Sequence, residues 1–136
     1  SVGLLGYSLG SILAVSVASS IPEVKGVVEY FGGGSQDKDE LESQVAGFPP
    51  LLILHGEADQ SVPVSRAYAL RDAVMAQGGE VEMKIYPGAP MDLMQPGSQF
   101  TMKRMPMIRF SELLIFSAGN YSSIGSADFT DAGLHR

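Results

Sequence analysis

The stretch Gly6-Tyr7-Ser8-Leu9-Gly10 decides how the chain is read. It follows the apolar run Val2-Gly3-Leu4-Leu5 and precedes Ile12-Leu13-Ala14-Val15-Ser16-Val17-Ala18. A short buried strand, a G-x-S-x-G turn and a helix form the context in which this motif presents a nucleophilic serine. The turn is tight enough to strain the serine backbone. Gly6 and Gly10 remove side chains that would collide across it. The first free N–H groups of the helix, beginning with that of Leu9, then point to where an oxyanion would form. The competing reading is an ordinary strand-to-helix turn carrying an incidental serine.

Outward from the turn, the chain alternates strands and helices. Leu9 to about Ser20 reads as a helix stopped by Pro22, and Val24–Tyr30 as a strand leaving through Phe31-Gly32-Gly33-Gly34. The three glycines lack the lysine of a phosphate-binding loop, so they read as a loop exit. The polar, acidic segment 36–47 reads as solvated surface; its acidic spacing matches no calcium loop. Leu51-Leu52-Ile53-Leu54 is a third buried strand, and an amphipathic helix over 64–77 follows with Ala67, Leu70, Ala73 and Val74 on one face. Gly78-Gly79 ends it, and Val81–Tyr86 alternates as a strand near a sheet edge does. This order predicts an α/β domain with a doubly wound, mostly parallel sheet. In such sheets the working groups gather at the C-terminal ends of the strands. Three loops qualify: those bearing Ser8 and Asp59, and the one after Tyr86. Asp59 is the candidate orienting acid, against the alternative of a turn-forming aspartate, and Glu57 is the second candidate. His55, at the strand end, reads as a structural residue binding the loop backbone.

Composition excludes several classes. The 136 residues are 45% hydrophobic and carry a net charge of −6 without a basic cluster, which argues against a nucleic-acid partner. The absence of cysteine removes disulfides, thiol nucleophiles and cysteine-ligated metals. No metal or other cofactor is implied, no apolar run approaches membrane-spanning length, and a cytoplasmic location is expected. The chain opens inside a strand, so a fragment lacking an N-terminal half is expected.

GYSLG, VKGVVEYFGG, PPLLILHGEADQSVPV and VEMKIYPGAP together resemble the dienelactone hydrolase family over residues 1–90. The resemblance implies a partial α/β-hydrolase fold that opens small carboxylic esters or lactones through an acyl-enzyme. It places the nucleophile at Ser8 and the acid at Asp59. The dienelactone-cleaving members carry cysteine at the nucleophile position, so Ser8 points to esterase-like relatives. The family continues after the position of Pro90 with a histidine, its general base, then glycine and phenylalanine. Here Met91-Asp92-Leu93 follows, and the remaining histidine downstream is His135. Without an imidazole near Ser8 the triad is incomplete, so this chain by itself is expected to be inactive. A non-catalytic binding domain is the alternative.

Residues 91–136 are therefore expected to be a divergent, poorly ordered tail, apart from a helix around 110–116. Five of the seven methionines fall between Met91 and Met107, and the tail carries no net charge. A Met-rich binding surface is one reading; an out-of-frame translation is another. If one nucleotide was lost at Pro90, each original codon joins the last base of one tail codon to the first two of the next. Because methionine codons end in G, the residues behind Met91, Met94, Met102, Met105 and Met107 become glycine, alanine, glutamate, alanine and aspartate. The slot at Met91 becomes tyrosine, histidine, asparagine or aspartate, and that at Leu93 admits phenylalanine. Histidine-glycine-phenylalanine is thus allowed where the family has it.

Overall fold

The computed structural model describes residues 2–90 in full and the backbone of five strands between residues 109 and 135. In order, the elements are β1 (Val2–Tyr7), α1 (Leu9–Ala18), β2 (Val24–Tyr30), α2 (Lys38–Gln44), β3 (Leu51–Gly56), α3 (Ser65–Ala76) and β4 (Val81–Tyr86). Then come β5 (Arg109–Phe110), β6 (Glu112–Ser117), β7 (Asn120–Ile124), β8 (Ala127–Thr130) and β9 (Gly133–His135).

The main sheet runs β4-β3-β2-β1-β6-β7, and β1 to β4 are all parallel to their neighbours. Leu4 pairs with Val27 and Val27 with Leu51, so one face of the sheet presents a continuous aliphatic row. Each crossover steps one strand in the same direction. Right-handed crossovers then place all the intervening helices on one side. Ala14, Val15 and Ala18 of α1, Leu41 of α2 and Ala67, Leu70 and Val74 of α3 indeed share one core with Leu4, Val27, Leu51 and Ile53. The expected mostly parallel α/β sheet is therefore present. Among the described residues its three helices cover a single face. The other face carries Leu5, Val28, Tyr30, Leu52 and Leu54, also buried. At the edge, β4 alternates half-buried Val81, Met83 and Ile85 with exposed Glu82 and Lys84, as a strand covered on one face does.

Two sequence readings are corrected. The segment 36–47, taken as plain surface, contains α2. Asp37 caps this helix by accepting from the Glu40 N–H at 2.9 Å, and Leu41 anchors it in the core. The spacing Asp37-x-x-Glu40 was the available signal. The helix expected around 110–116 is also replaced by strand. β6 pairs in parallel with β1, Val2 opposite Glu112 through Gly6 opposite Phe116. The run Leu113-Leu114-Ile115-Phe116 is short, apolar and β-favouring. Periodicity does not separate such a run from a buried helix segment. Here it supplies hydrogen-bond partners to the side of β1 away from β2. β5, β8 and β9 form a second, antiparallel sheet. Met91 and residues 92–108 lie outside the described residues.

The packing predicts a sharp contrast along α3. Leu70 is fully buried whereas Met75 is 58% exposed. Leu70→Ala is expected to cost about 2–5 kcal/mol of unfolding free energy in urea titration, and Met75→Ala less than about 0.5 kcal/mol.

Candidate functional site

Ser8 joins β1 to α1 with φ 52° and ψ −118°, a left-handed backbone that non-glycine residues rarely adopt. Three contacts hold it there. Its N–H donates to the Tyr30 carbonyl at 3.0 Å, and its carbonyl accepts from the Ser11 and Ile12 N–H groups at 3.0 and 3.2 Å. Gly6 must be glycine, since a Cβ there would lie 2.4 Å from Ser11 Cα and 2.5 Å from the Gly10 carbonyl oxygen. Gly10 is buried in the first turn. The Ser8 hydroxyl does not cap the helix, which leaves it available at a half-buried position. As the first residue of α1, Leu9 carries an N–H with no intrahelical acceptor, directed out of the helix N-terminus.

Asp59 leaves the C-terminal end of β3, on the same sheet edge as Ser8 and two strands away, roughly 10 Å at standard strand spacing. It is 6% exposed. Its Oδ1 accepts from the Ser61 and Val62 N–H groups, both at 2.8 Å. Those two bonds fix the carboxylate in the loop. Among the described residues Oδ2 has no hydrogen-bond partner; the nearest candidate, His55 Nε2, is 3.6 Å away, beyond hydrogen-bond length. His55 is fully buried and its Nε2 donates to the Val62 carbonyl at 2.8 Å. That bond assigns the proton to Nε2 and ties the imidazole to the loop backbone. Glu57 is exposed, and its Oε2 accepts from the Gly88 N–H at 3.1 Å. It therefore fastens the Asp59 loop to the loop after β4. The same two loops are joined by Ala58 N–H to the Ala89 carbonyl, 3.1 Å, and Glu57 N–H to the Tyr86 carbonyl, 3.0 Å. Ala89, next to the end of this described stretch, thus lies beside the Asp59 loop. Met91, the position at which the family resemblance implies a histidine, lies outside the described residues. His135 is placed by its backbone in β9, in the second sheet.

Aromatic rings flank the turn. Tyr7 packs on Tyr30 with centroids 4.5 Å apart, and Phe31 lies 6.1 Å from Tyr7. Burial pushes the Tyr7 hydroxyl up to about 12, against a smaller lowering by its hydrogen bond with Tyr30. Burial raises Tyr30 and Tyr86 as well. All three stay protonated at neutral pH, so no tyrosinate here stands in for a base. Among the described residues no three His, Asp or Glu side chains converge as metal ligands, and no helix is long and apolar enough to cross a membrane. A groove of about 720 Å³ between α2 and α3 includes neither Ser8 nor Asp59 in its lining.

One residue beside the site was missed by the sequence reading. Glu29 is fully buried in β2. Its Oε1 accepts from the N–H groups of Gly32 and Gly33, the latter at 2.6 Å. A lone carboxylate inside Val27-Val28-Glu29-Tyr30 was the visible signal, since an unpaired buried charge needs a reason. Burial raises its pKa; the Gly33 and Gly32 N–H groups, His55 and the Ser11 hydroxyl oppose that rise.

The family model for the dienelactone hydrolase family matches residues 1–99, reaching past Pro90. The chain belongs to the dienelactone hydrolase family. Over 74 residues it is 31% identical to an isoprenylcysteine α-carbonyl methylesterase of Arabidopsis thaliana, covering 54% of this chain and 17% of that protein. Esterase PE8 superposes with a TM-score of 0.61 at 27% identity, over 70% of this chain and 44% of that one. The esterase domain of a Rhodothermus marinus protein gives a TM-score of 0.55 at 22% identity, over 65% and 50% of the two chains, a likeness of fold. The chain therefore spans half or less of the length of these relatives.

Two outcomes test the geometry. Gly6→Ala drives a methyl group into the backbone of α1 and is expected to cost about 1–3 kcal/mol or more in chemical unfolding. Tyr7 ionises later in the folded than in the unfolded chain. Its raised pKa therefore contributes stability that is present below pH 10 and is lost as pH climbs toward 12. Unfolding free energy measured across that window should fall with pH in the parent protein and fall less in Tyr7→Phe.

Proposed function

We propose that the chain carries the nucleophile, the acid and one oxyanion donor of a serine hydrolase acting on small carboxylic esters or lactones. The observation that carries this reading is the strained backbone of Ser8 between β1 and α1, with no bond from its hydroxyl to the helix N-terminus. Such strain persists only where the surroundings enforce it, and it gathers at sites of chemistry. Family membership and the similarity to esterase PE8 support the ester class.

In the proposed cycle Ser8 Oγ attacks the substrate carbonyl carbon and passes its proton to a histidine base. The Leu9 N–H donates to the oxygen that becomes negative. The C–O bond to the leaving alkoxide breaks, the base returns the proton to that oxygen, and an acyl-Ser8 ester remains. Water, deprotonated by the same base, then attacks the acyl carbon; the bond from that carbon to Ser8 Oγ breaks, the base returns the proton to Oγ, and the acid leaves. Asp59 orients the base through Oδ2, the carboxylate oxygen that its own loop leaves open. His55 does not serve as base in this scheme, because it is fully buried in β3 and tied by Nε2 to the Val62 carbonyl.

The base belongs in the slot after Pro90, where this chain has Met91. We read residues 91–136 as the out-of-frame translation of a family C-terminus. The support is the methionine cluster, the charge change at Pro90 and the histidine codon allowed in that slot. Met91 itself favours a second reading, a binding domain that keeps the fold and has lost its base. The nucleotide sequence across Pro90 decides between them. Insertion of one base there should encode histidine next and keep the frame open; tyrosine, asparagine, aspartate or an early stop would leave the second reading standing.

Enzymatically, the chain as it stands should turn over p-nitrophenyl acetate at least about 10³-fold more slowly than the protein with its frame restored, since loss of a triad member removes that much. In the restored protein Ser8→Ala should abolish labelling by a fluorophosphonate probe. Robust hydrolysis by the unrestored chain that disappears in Ser8→Ala would overturn the assignment of the base.

A further inference from the structure

Glu29 is a buried ionisable group to which the mechanism above gives no task. Glu29 lies three residues before Gly32, at the end of the strand whose Tyr30 carbonyl receives the Ser8 N–H. Its Oε1 gathers the N–H groups of Gly32 and Gly33 and so bends the exit of β2 back over its own strand. The bend requires left-handed backbone at Phe31, φ 40°, and at Gly33, φ 77°. Phe31 is a bulky residue in that region and holds it only under external restraint. The restraint is the two hydrogen bonds to Glu29 and the bond from the Phe31 N–H to the Leu54 carbonyl, 3.0 Å.

The bent loop rests on the nucleophile turn. A Cβ on Gly32 would stand 2.7 Å from the Ser8 carbonyl oxygen and 2.5 Å from Ser11 Cβ, so Gly32 backbone is in direct contact with the residue that carries the hydroxyl. Ser11, buried in the first turn of α1, also faces the Glu29 carboxyl. On its far side the loop is clamped by α3: a Cβ on Gly33 would be 2.9 Å from Arg66 Cβ, and Arg66 Nη2 donates to the Gly34 carbonyl at 2.5 Å. The loop is therefore wedged between α3 and the elbow, and Glu29 sets its shape.

We propose that Glu29 is a positioning residue for the nucleophile: through Gly32 and Gly33 it presses the exit of β2 against the Ser8 carbonyl and keeps Ser8 in its strained conformation. What Glu29 supplies is an acceptor at fixed reach. Burial raises its pKa, and in the neutral form its carbonyl oxygen still accepts both N–H groups. The carboxamide of glutamine offers the same acceptor at the same distance, whereas aspartate keeps the charge and falls short by one methylene. The catalytic consequence rests on the reading of Ser8 as nucleophile. The structural consequence does not.

The test uses the full 136-residue chain and three variants, Glu29→Ala, Glu29→Asp and Glu29→Gln. Native-state hydrogen exchange by NMR reads the amides of Ser8, Gly32 and Gly33, with Val28 and Ile53 as sheet references. Fluorophosphonate labelling of the same variants in the frame-restored protein reads the hydroxyl. In Glu29→Asp, and in Glu29→Ala if it folds, exchange at Ser8 should rise about tenfold or more while the references hold, because a locally loosened segment opens without the core. Labelling should slow by a similar factor. Glu29→Gln should return both to within about twofold of the parent. Loss of protection at Gly32 and Gly33 with unchanged exchange and labelling at Ser8 would overturn the proposal, leaving Glu29 a fastener of its own loop. Failure of Glu29→Gln to rescue would overturn it too, by showing that charge and not acceptor geometry matters. If the frame-restored parent is not labelled at all, the nucleophile reading fails, and the Ser8 exchange rates of the 136-residue chain still decide what Glu29 does.

Discussion

The structure depends on one strained residue. Ser8 has to turn the chain from β1 into α1 within a single position, and it does so at φ 52°. A residue in that region costs on the order of 1–3 kcal/mol, and it survives only when its surroundings allow nothing else. The surroundings here are backbone on every side: the Tyr30 carbonyl on the Ser8 N–H, the first turn of α1 on its carbonyl, and Gly6 and Gly32 packed too close for a Cβ. Side chains can swap rotamers to relieve such crowding; backbone cannot. That is why the strain can be held at the hydroxyl and not released into the loop.

The parallel sheet turns this local constraint into a site. Because β1, β2, β3 and β4 share one direction, their exits emerge on one edge. There the loops are fastened to one another more than to the surface. Asp59 is held by two backbone N–H groups, Glu57 bridges to Gly88, and Ala58 bonds to Ala89. Hydrogen bonds from backbone N–H to a buried carboxylate are strong and are shielded from water. The exposed pair Lys38–Glu42, at 3.9 Å on α2, contributes little by comparison. The division among the acidic and imidazole groups follows from these partners. Glu57 Oε2 and His55 Nε2 are each bonded to loop backbone, and among the described residues Asp59 Oδ2 and His55 Nδ1 have no hydrogen-bond partner.

The far side of β1 shows how the rest of the chain meets this unit. A strand with only one neighbour leaves a row of N–H and C=O groups unpaired. β6 pairs with β1 in parallel from Glu112 to Phe116, and β7 follows antiparallel. The sheet therefore extends past the strand that ends in the Ser8 turn, and β1 is an interior strand with partners on both sides.

Local signals in the chain determined the strand-turn-helix around Ser8, the order of the next three strands, and Asp59 as a carboxylate at a strand end. Each rests on interactions within a few residues: glycines where a turn leaves no room, apolar runs of strand length, a proline or glycine pair where a helix stops. The cap of α2 at Asp37 was equally local and was overlooked. Other features were decided by neighbours far along the chain. The run 112–117 became a strand because β1 offered it a hydrogen-bonding edge, which no periodicity within the run records. His55 was bound to Val62, and Asp59 Oδ1 to the Ser61 and Val62 N–H groups, by the way one loop folds on itself. Glu29 reads in sequence as a misplaced charge. Only the packing of Gly32 against Ser8 brings it beside the elbow, because its effect passes through backbone contacts between segments more than twenty residues apart.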